Sequence, residues 1–238
     1  MAIEDNEYTR VLAQLAETLA IPKAIVLFSA HWVSATQKIS AVENYSTIHD
    51  FGGFPEELYR ITYPAKGDVS LAKQIEELLA KQGIASEAEL KRGLDHGAWV
   101  VLRLLYPEAQ IPVVAMSVNP RLTPEKQYKI GQALKSLREQ DVLIVGSGGT
   151  VHNLMALRMT SDDTSVDPWA QEFDDWLEEH LTSWDLPSLF QYEDLAASAP
   201  LAVPLLGNEH LVPIFYAMGA ADGLGTQSSF IEVINTET

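Results

Sequence analysis

The chain has 238 residues, 47% of them hydrophobic, enough for a sizeable packed core and against global disorder. Its net charge of −17 argues against a general binder of nucleic acid or of anionic membranes, because phosphate attraction needs clustered Lys and Arg. There is no cysteine, which excludes disulfides, thiolate nucleophiles and Cys-based zinc sites; any metal must be held by His, carboxylate and water.

Apolar periodicity alternates between helix and strand along the chain. Asp5 or Asn6 can cap a helix running to about Ala20, with Val11, Leu12, Leu15 and Leu19 on one face, and Pro22 stops it. Ala24 to Ala30 is a continuous apolar run of strand length, as expected of a buried parallel strand, and His31 comes directly after it. Lys38 to Val42 reads as a second strand. Asn44 to Tyr63 is a long loop rich in Gly, Pro and aromatics, a length uncommon inside a compact domain unless the loop is functional. Asp68 to Gln82 is an amphipathic helix closed by Gly83, and Ala98 to Tyr106 is a further helix. Ile111 to Val118 is another buried strand, and Thr123 to Glu139 a helix with Pro124 at its first position. Val142 to Val145 is a strand, with the turn Gly146 to Thr150 after it. Pro168 to Trp184 is an acidic amphipathic helix, Val212 to Ala221 an apolar one, and Phe230 to Ile234 a last short strand.

This alternation predicts an α/β fold, a single domain over residues 1–238 with a mostly parallel central sheet and helices on both faces. Ligands of such sheets collect beyond the carboxyl ends of the strands, where His31 and His152 can approach each other. No apolar run approaches the ~20 residues of a membrane-spanning helix. The acidic N-terminus lacks a signal-peptide pattern, so the expected compartment is cytoplasmic.

Five of the six histidines sit in segments of unusual character. Neutral imidazole is the commonest side-chain metal ligand and a natural proton shuttle near neutral pH. His31 adjoins Trp32 at a strand end, so it is either a ligand or a histidine covering the core edge. His49 lies in a loop whose glycines could let it fold over a pocket, or which is a structural Ω-loop. Asp95 can cap a helix while His96 points elsewhere. His152 follows four small residues whose bare backbone could let a ligand approach. Either Glu209 or His210 could be a ligand or a cap. His180, on a polar helix face, reads as a solvated surface residue. The turn at 146–150 lacks both the Gly-x-Gly-x-x-Gly pattern and the P-loop Lys-Ser/Thr, which disfavours nucleotide binding. Neither Gly-x-Ser-x-Gly nor His-Glu-x-x-His occurs.

Taken together, Ser-Ala-His-Trp (29–32), Thr-Ile-His-Asp-Phe-Gly-Gly-Phe-Pro (47–55), Tyr-Pro-Ala (63–65), Leu-Asp-His-Gly-Ala-Trp (94–99), Val-His-Asn-Leu (151–154), Pro-Trp-Ala (168–170) and Glu-His-Leu-Val-Pro (209–213) resemble the DOPA-dioxygenase type of class III extradiol ring-cleavage dioxygenases. The motifs follow the family's order over nearly the whole chain. The resemblance implies an Fe(II) enzyme that opens a catechol-type ring, DOPA-like in kind, with O₂. Zn(II) is the metal that some purified bacterial members resemble containing. It implies His31 and His210 as metal ligands, His152 beside the metal as ligand or acid–base group, His96 facing the substrate and His49 in the active-site loop. The implied partners are a small aromatic diol and O₂, in a monomer or small homo-oligomer.

The chain departs from the family pattern in lacking the N-terminal His-Gly-Ser-Pro strand, whose histidine is a family ligand, and the closing C-terminal strand; Gly149 stands where asparagine is common. Asp50 or Glu209 is the candidate replacement ligand. Two rival readings remain: a degenerate or non-enzymatic metal-binding relative using the same pocket, and a metal-dependent hydrolase.

Overall fold

The computed structural model describes residue 3 and residues 5–156, 166–204 and 207–223. The expected strand Phe230 to Ile234 lies outside the described residues.

Helix α1 (Glu7–Thr18) starts at Asn6, whose side chain accepts from the Thr9 amide at 2.9 Å while the Thr9 hydroxyl accepts from the Asn6 amide at 3.1 Å. This reciprocal cap satisfies two backbone donors that the first turn leaves open. Strand β1 (Ala24–Val33) runs past the apolar segment, so His31 lies within the strand rather than after it. Its ladder with β4 (Val113–Val118) skips after Phe28 and resumes at Val33 pairing with Val118, which keeps the His31 segment extended. The parallel partner β5 (Val142–Ser147) ends at the Ser29–Ser147 pair.

Strand β2 (Gln37–Ser40) begins one residue earlier than the hydropathy suggests and stops short of Val42. Strand β3 (Ser86–Glu89) has no counterpart in the hydropathy pattern: its sequence is Ser-Glu-Ala-Glu, and it lies half-exposed at the sheet edge. It is held by parallel pairing with β2. Among the described residues the order is β3-β2-β4-β1-β5, with only the β2/β4 ladder antiparallel.

Helices cover both faces, as the alternation predicts. Ala24, Val26 and Phe28 face a core shared with α2 (Val69–Lys81), α4 (Pro124–Ala133), α5 (Pro168–Thr182) and α9 (Pro213–Ala221). Ile25 and Leu27 face a second core with Trp99 and Leu102 of α3 (His96–Leu105) and with Tyr45 and Tyr63 of the 44–63 segment. Helix α1 packs on α3. The helix expected to reach Glu139 instead tightens into a 3-10 turn over Lys135–Gln140. Leu134 and Leu137, both fully buried, are three residues apart, the spacing that a 3-10 turn aligns. Three one-turn helices, α6 (Leu186–Leu189), α7 (Tyr192–Leu195) and α8 (Ala199–Ala202), are too short to show a hydrophobic period. His180 is half-buried rather than solvated: its ring stacks on Trp176 at 4.1 Å and its Nδ1 meets the Trp176 carbonyl oxygen at 2.7 Å. Among the described residues no helix is long and apolar enough to cross a membrane.

Helices α4 and α9 touch backbone to backbone. A Cβ on Gly219 would lie 1.9 Å from the Tyr128 carbonyl oxygen, and one on Gly131 would lie 1.9 Å from that of Tyr216. Side chains here force the helices apart, at a typical cost of ~1–3 kcal/mol. Gly219→Ala should therefore lower the unfolding free energy by about 1–3 kcal/mol, read as a lower urea midpoint, whereas Gly52→Ala, where a Cβ meets nothing within 4 Å, should leave it unchanged.

Candidate metal centre

Four imidazoles meet where β1 runs on past the end of β5. His31 leaves β1 toward α3, whose first residue is His96, and the two ring centroids are 3.9 Å apart. On the other side His31 meets the ring of His210 edge-on at 4.9 Å, and His210 stacks on His152 at 3.5 Å with 10° between the planes. Residues from four separate segments thus share one locus at the carboxyl ends of β1 and β5, the position where α/β sheets gather ligands.

Each segment is delivered by local chemistry. His152 donates its backbone amide to the Ala202 carbonyl at 2.9 Å, which fixes the turn after β5. The bare backbone of that turn admits the chain itself rather than a ligand. A Cβ on Gly148 would lie 2.0 Å from the His210 carbonyl oxygen, and the Gly149 amide donates to that same oxygen at 2.9 Å. The Gly-rich turn is what lets the short 3-10 helix Asn208–His210 seat His210 against His152.

Asp50 is the feature for which the sequence offered only a substitute ligand's role. One of its carboxylate oxygens accepts from the His96 amide at 2.9 Å and lies 2.9 Å from the His96 ring Nδ1; the other lies 3.6 Å from His31 Nδ1. Burial would raise its pKa, but the bonds from the His96 amide and ring outweigh this and hold it below the ordinary carboxylate value. A carboxylate only accepts, so the contact assigns the His96 proton to Nδ1 and leaves Nε2 with the lone pair. His49 stands apart from the four imidazoles. Its Nε2 is 3.0 Å from the Ile61 carbonyl oxygen, and its ring lies among Phe51, Tyr59 and Trp99. Phe51 bridges the two zones, edge-on to His96 at 5.5 Å. The segment carrying His49 therefore sets an aromatic wall beside the imidazoles.

Burial is the main force on the imidazole protons. It lowers the pKa of His210 to about 3, with further lowering from His152, His31 and His96. Burial also lowers His31, with His96 adding to the effect, and lowers His152 against the opposing pull of Glu209. Their lone pairs are therefore free at neutral pH. Two groups bring three donor atoms each within 4.8 Å of one another: His31, Asp50 and His96, and His152, Glu209 and His210. Imidazole and carboxylate donors without thiolate suit a borderline divalent transition metal better than Mg²⁺ or Ca²⁺, so the residues present fit such an ion.

An α/β scaffold with two groups of candidate metal donors beside a cluster of aromatic rings has the donor set of a metal-dependent enzyme. The comparisons with known proteins narrow this. Residues 4–236 match the family described as the catalytic LigB subunit of aromatic ring-opening dioxygenase. Proteins named 4,5-DOPA dioxygenase extradiol are similar to the chain: one from Mirabilis jalapa is 45% identical over 84% of this chain and 73% of its own, and one from Escherichia coli K12 is 40% identical over 93% and 81%. A crystal structure of an uncharacterized Escherichia coli K12 protein superposes with a TM-score of 0.78 at 35% identity, covering 93% of this chain and 84% of that one. The chain belongs to the class III extradiol ring-cleavage dioxygenases and is an enzyme of the aromatic ring-opening type.

The buried imidazoles also set the acid response of the metal-free protein. An unfolded chain's imidazole titrates near ~6.5, whereas His210 in the fold titrates at about 3. Between these values the unfolded state binds a proton that the folded state does not, so this contribution is complete above pH ~6.5 and is lost as pH falls toward 3. In chelator, the urea midpoint should fall between pH 6.5 and 4, and fall less in His210→Gln. Equal slopes for the two proteins would show that His210 carries none of the dependence.

Proposed function

We propose that the chain opens a catechol-type ring with O₂ at a single non-haem metal ion, Fe(II) when active, and that its substrate is a small DOPA-like aromatic diol. The observation that carries this reading is the meeting of His31, His96, His152 and His210 from four separate segments, with three of them held neutral by burial. Zn(II) would occupy the same donors without the redox step.

His31 and His210 would hold the metal, with His152 as a further ligand or as the acid–base group beside it, and Glu209 or Asp50 as the carboxylate donor. Bound Fe(II) supplies a redox-active Lewis acid able to engage both a diol and O₂, which otherwise react poorly because their spin states differ.

The remaining steps belong to the protein. A diol must lose protons on binding, and His96 Nε2, with Nδ1 tied to Asp50, is oriented to accept one. Asp50 would then stabilise the imidazolium, the role of the carboxylate in carboxylate–histidine pairs. His152, neutral at rest, would take up a proton and return it to developing negative charge on oxygen. Phe51 would offer flat apolar surface to the aromatic ring, backed by the fully buried Trp99, and the His49 loop holds that surface in place. One catalytic domain over residues 1–238 is part of the same proposal.

Anaerobic loading with Fe(II), followed by catechols and O₂, tests this: a yellow semialdehyde with matching O₂ uptake is expected. Metal binding without turnover would favour a non-catalytic relative, and product without O₂ uptake a hydrolase. His152→Ala should cut turnover by ~10²–10⁴, the usual worth of a general acid–base group, with an unchanged circular dichroism spectrum. His180→Ala should leave turnover as it is.

A further inference from the structure

The site histidines rest on a buried charged network that the proposed mechanism does not use. Asp95 is 2% exposed and Ser29 is fully buried. One oxygen of Asp95 accepts from the Ser29 hydroxyl at 2.6 Å and from the Ala98 amide at 3.1 Å; the other accepts from the Arg92 guanidinium at 3.2 Å. The Ser29 oxygen in turn accepts from the His31 amide at 3.2 Å, and Arg92 donates to the His31 carbonyl at 3.1 Å. Both main-chain polar groups of His31 therefore end on this network. That is where they need partners, because the β5 ladder stops at Ser29 and the β4 register slips between Phe28 and Val33. A backbone group left unpaired in such a place costs the better part of a hydrogen bond's desolvation.

The same carboxylate caps α3, whose first residue is His96. One buried charge thus sets the backbone of His31 and the helix start that presents His96, and the two rings meet at 3.9 Å. Arg92 also lies 5.1 Å from the centre of the Trp32 ring, which fixes the guanidinium from its other side.

We propose that Asp95, with Ser29 and Arg92, is a positioning unit for the metal centre: it replaces the sheet ladder that β1 loses and so sets the spacing of His31 from His96 and His210. This rests on the metal-binding reading above. Residues that orient ligands typically tune metal affinity by ~10–100-fold without touching the ion.

The test is metal binding by the full chain, read without turnover. Zn(II) affinity would be measured by competition with a chromophoric chelator, and ligand geometry by the visible absorption of Co(II). Ser29→Ala is the primary variant because it removes one hydroxyl and adds no bulk. Asp95→Asn is the second, since the amide oxygen can still accept from Ser29 and from the Ala98 amide while the charge facing Arg92 is gone. Ser117→Ala is the control: its hydroxyl is equally buried and accepts from the Lys38 amide at 2.8 Å, serving β2 alone. Zn(II) affinity about ten-fold weaker or more, with a shifted Co(II) spectrum, is expected for Ser29→Ala and Asp95→Asn, and neither change for Ser117→Ala. If Asp95→Asn does not fold, Ser29→Ala decides. Affinity within about two-fold of wild type with an unchanged spectrum, against the ~10–100-fold expected, would overturn the positioning role. His31→Ala separates the two levels: if it binds metal as tightly as wild type, or if wild type binds none, the metal reading itself is wrong and the positioning role falls with it.

Discussion

The architecture turns on a refusal of charge. Four imidazoles packed with centroids 3.5 to 4.9 Å apart cannot all be protonated, because like charges at this range in a half-buried place repel by several kcal/mol. Burial settles the matter by pushing the protons off His31, His152 and His210. The result is a pocket rich in lone pairs and poor in internal positive charge, in a chain of strongly negative net charge. Such a pocket favours an external cation on every count, and the rest of the fold makes the crowding possible. The sheet has a central strand longer than its partners, and glycines let a second segment of chain approach closely.

The two donor groups are built differently, and this divides their work. His96 is tied through a hydrogen-bonded carboxylate, so its tautomer and direction are fixed while Asp50 remains beside it. His152 and His210 are held mainly by packing and by main-chain bonds, with Glu209 acting only as a nearby charge. A histidine with a carboxylate behind it is suited to receive a proton, since the imidazolium that forms is already paired. His210, the most strongly desolvated, resists protonation and is suited to hold a metal, whereas Glu209 pulls His152 back toward its protonated form and leaves it the more able of the two to carry a proton.

Much of this was legible before any coordinates. The buried strands Ala24 to Ala30, Ile111 to Val118 and Val142 to Val145 announced themselves as unbroken apolar runs, and helices over both faces followed from their alternation with amphipathic segments. The histidines stood out because they occupied strand ends and loops instead of periodic faces. What stayed hidden had no one-dimensional trace. Strand β3 is Ser-Glu-Ala-Glu, which forms because β2 offers an open edge and not because its residues prefer to be extended. The extension of β1 through His31 was concealed because His31 interrupts the apolar run, while the strand there is secured by main-chain pairing of Val33 with Val118. Asp50 could be flagged as a carboxylate beside His49, yet its true partner is His96, remote in sequence and brought close only by the fold.

Asp95 shows how one residue can satisfy several physical requirements while its sequence context suggests a single one. As a helix cap it is ordinary: a short carboxylate before a helix accepts an open amide and gains from the helix dipole. Its depth is the unusual part. A carboxylate at 2% exposure is tolerated only when its charge is matched and its lone pairs are filled, and here Arg92, Ser29 and the Ala98 amide do both. A serine or asparagine would cap the helix as well at lower desolvation cost. A charge at this depth makes sense where orientation matters more than stability, since charge-assisted hydrogen bonds are shorter and more directional than neutral ones. Where the ladder of β1 is interrupted, the main-chain groups of His31 are thereby met by Ser29 and Arg92, which fixes its backbone while its ring meets His96 and His210.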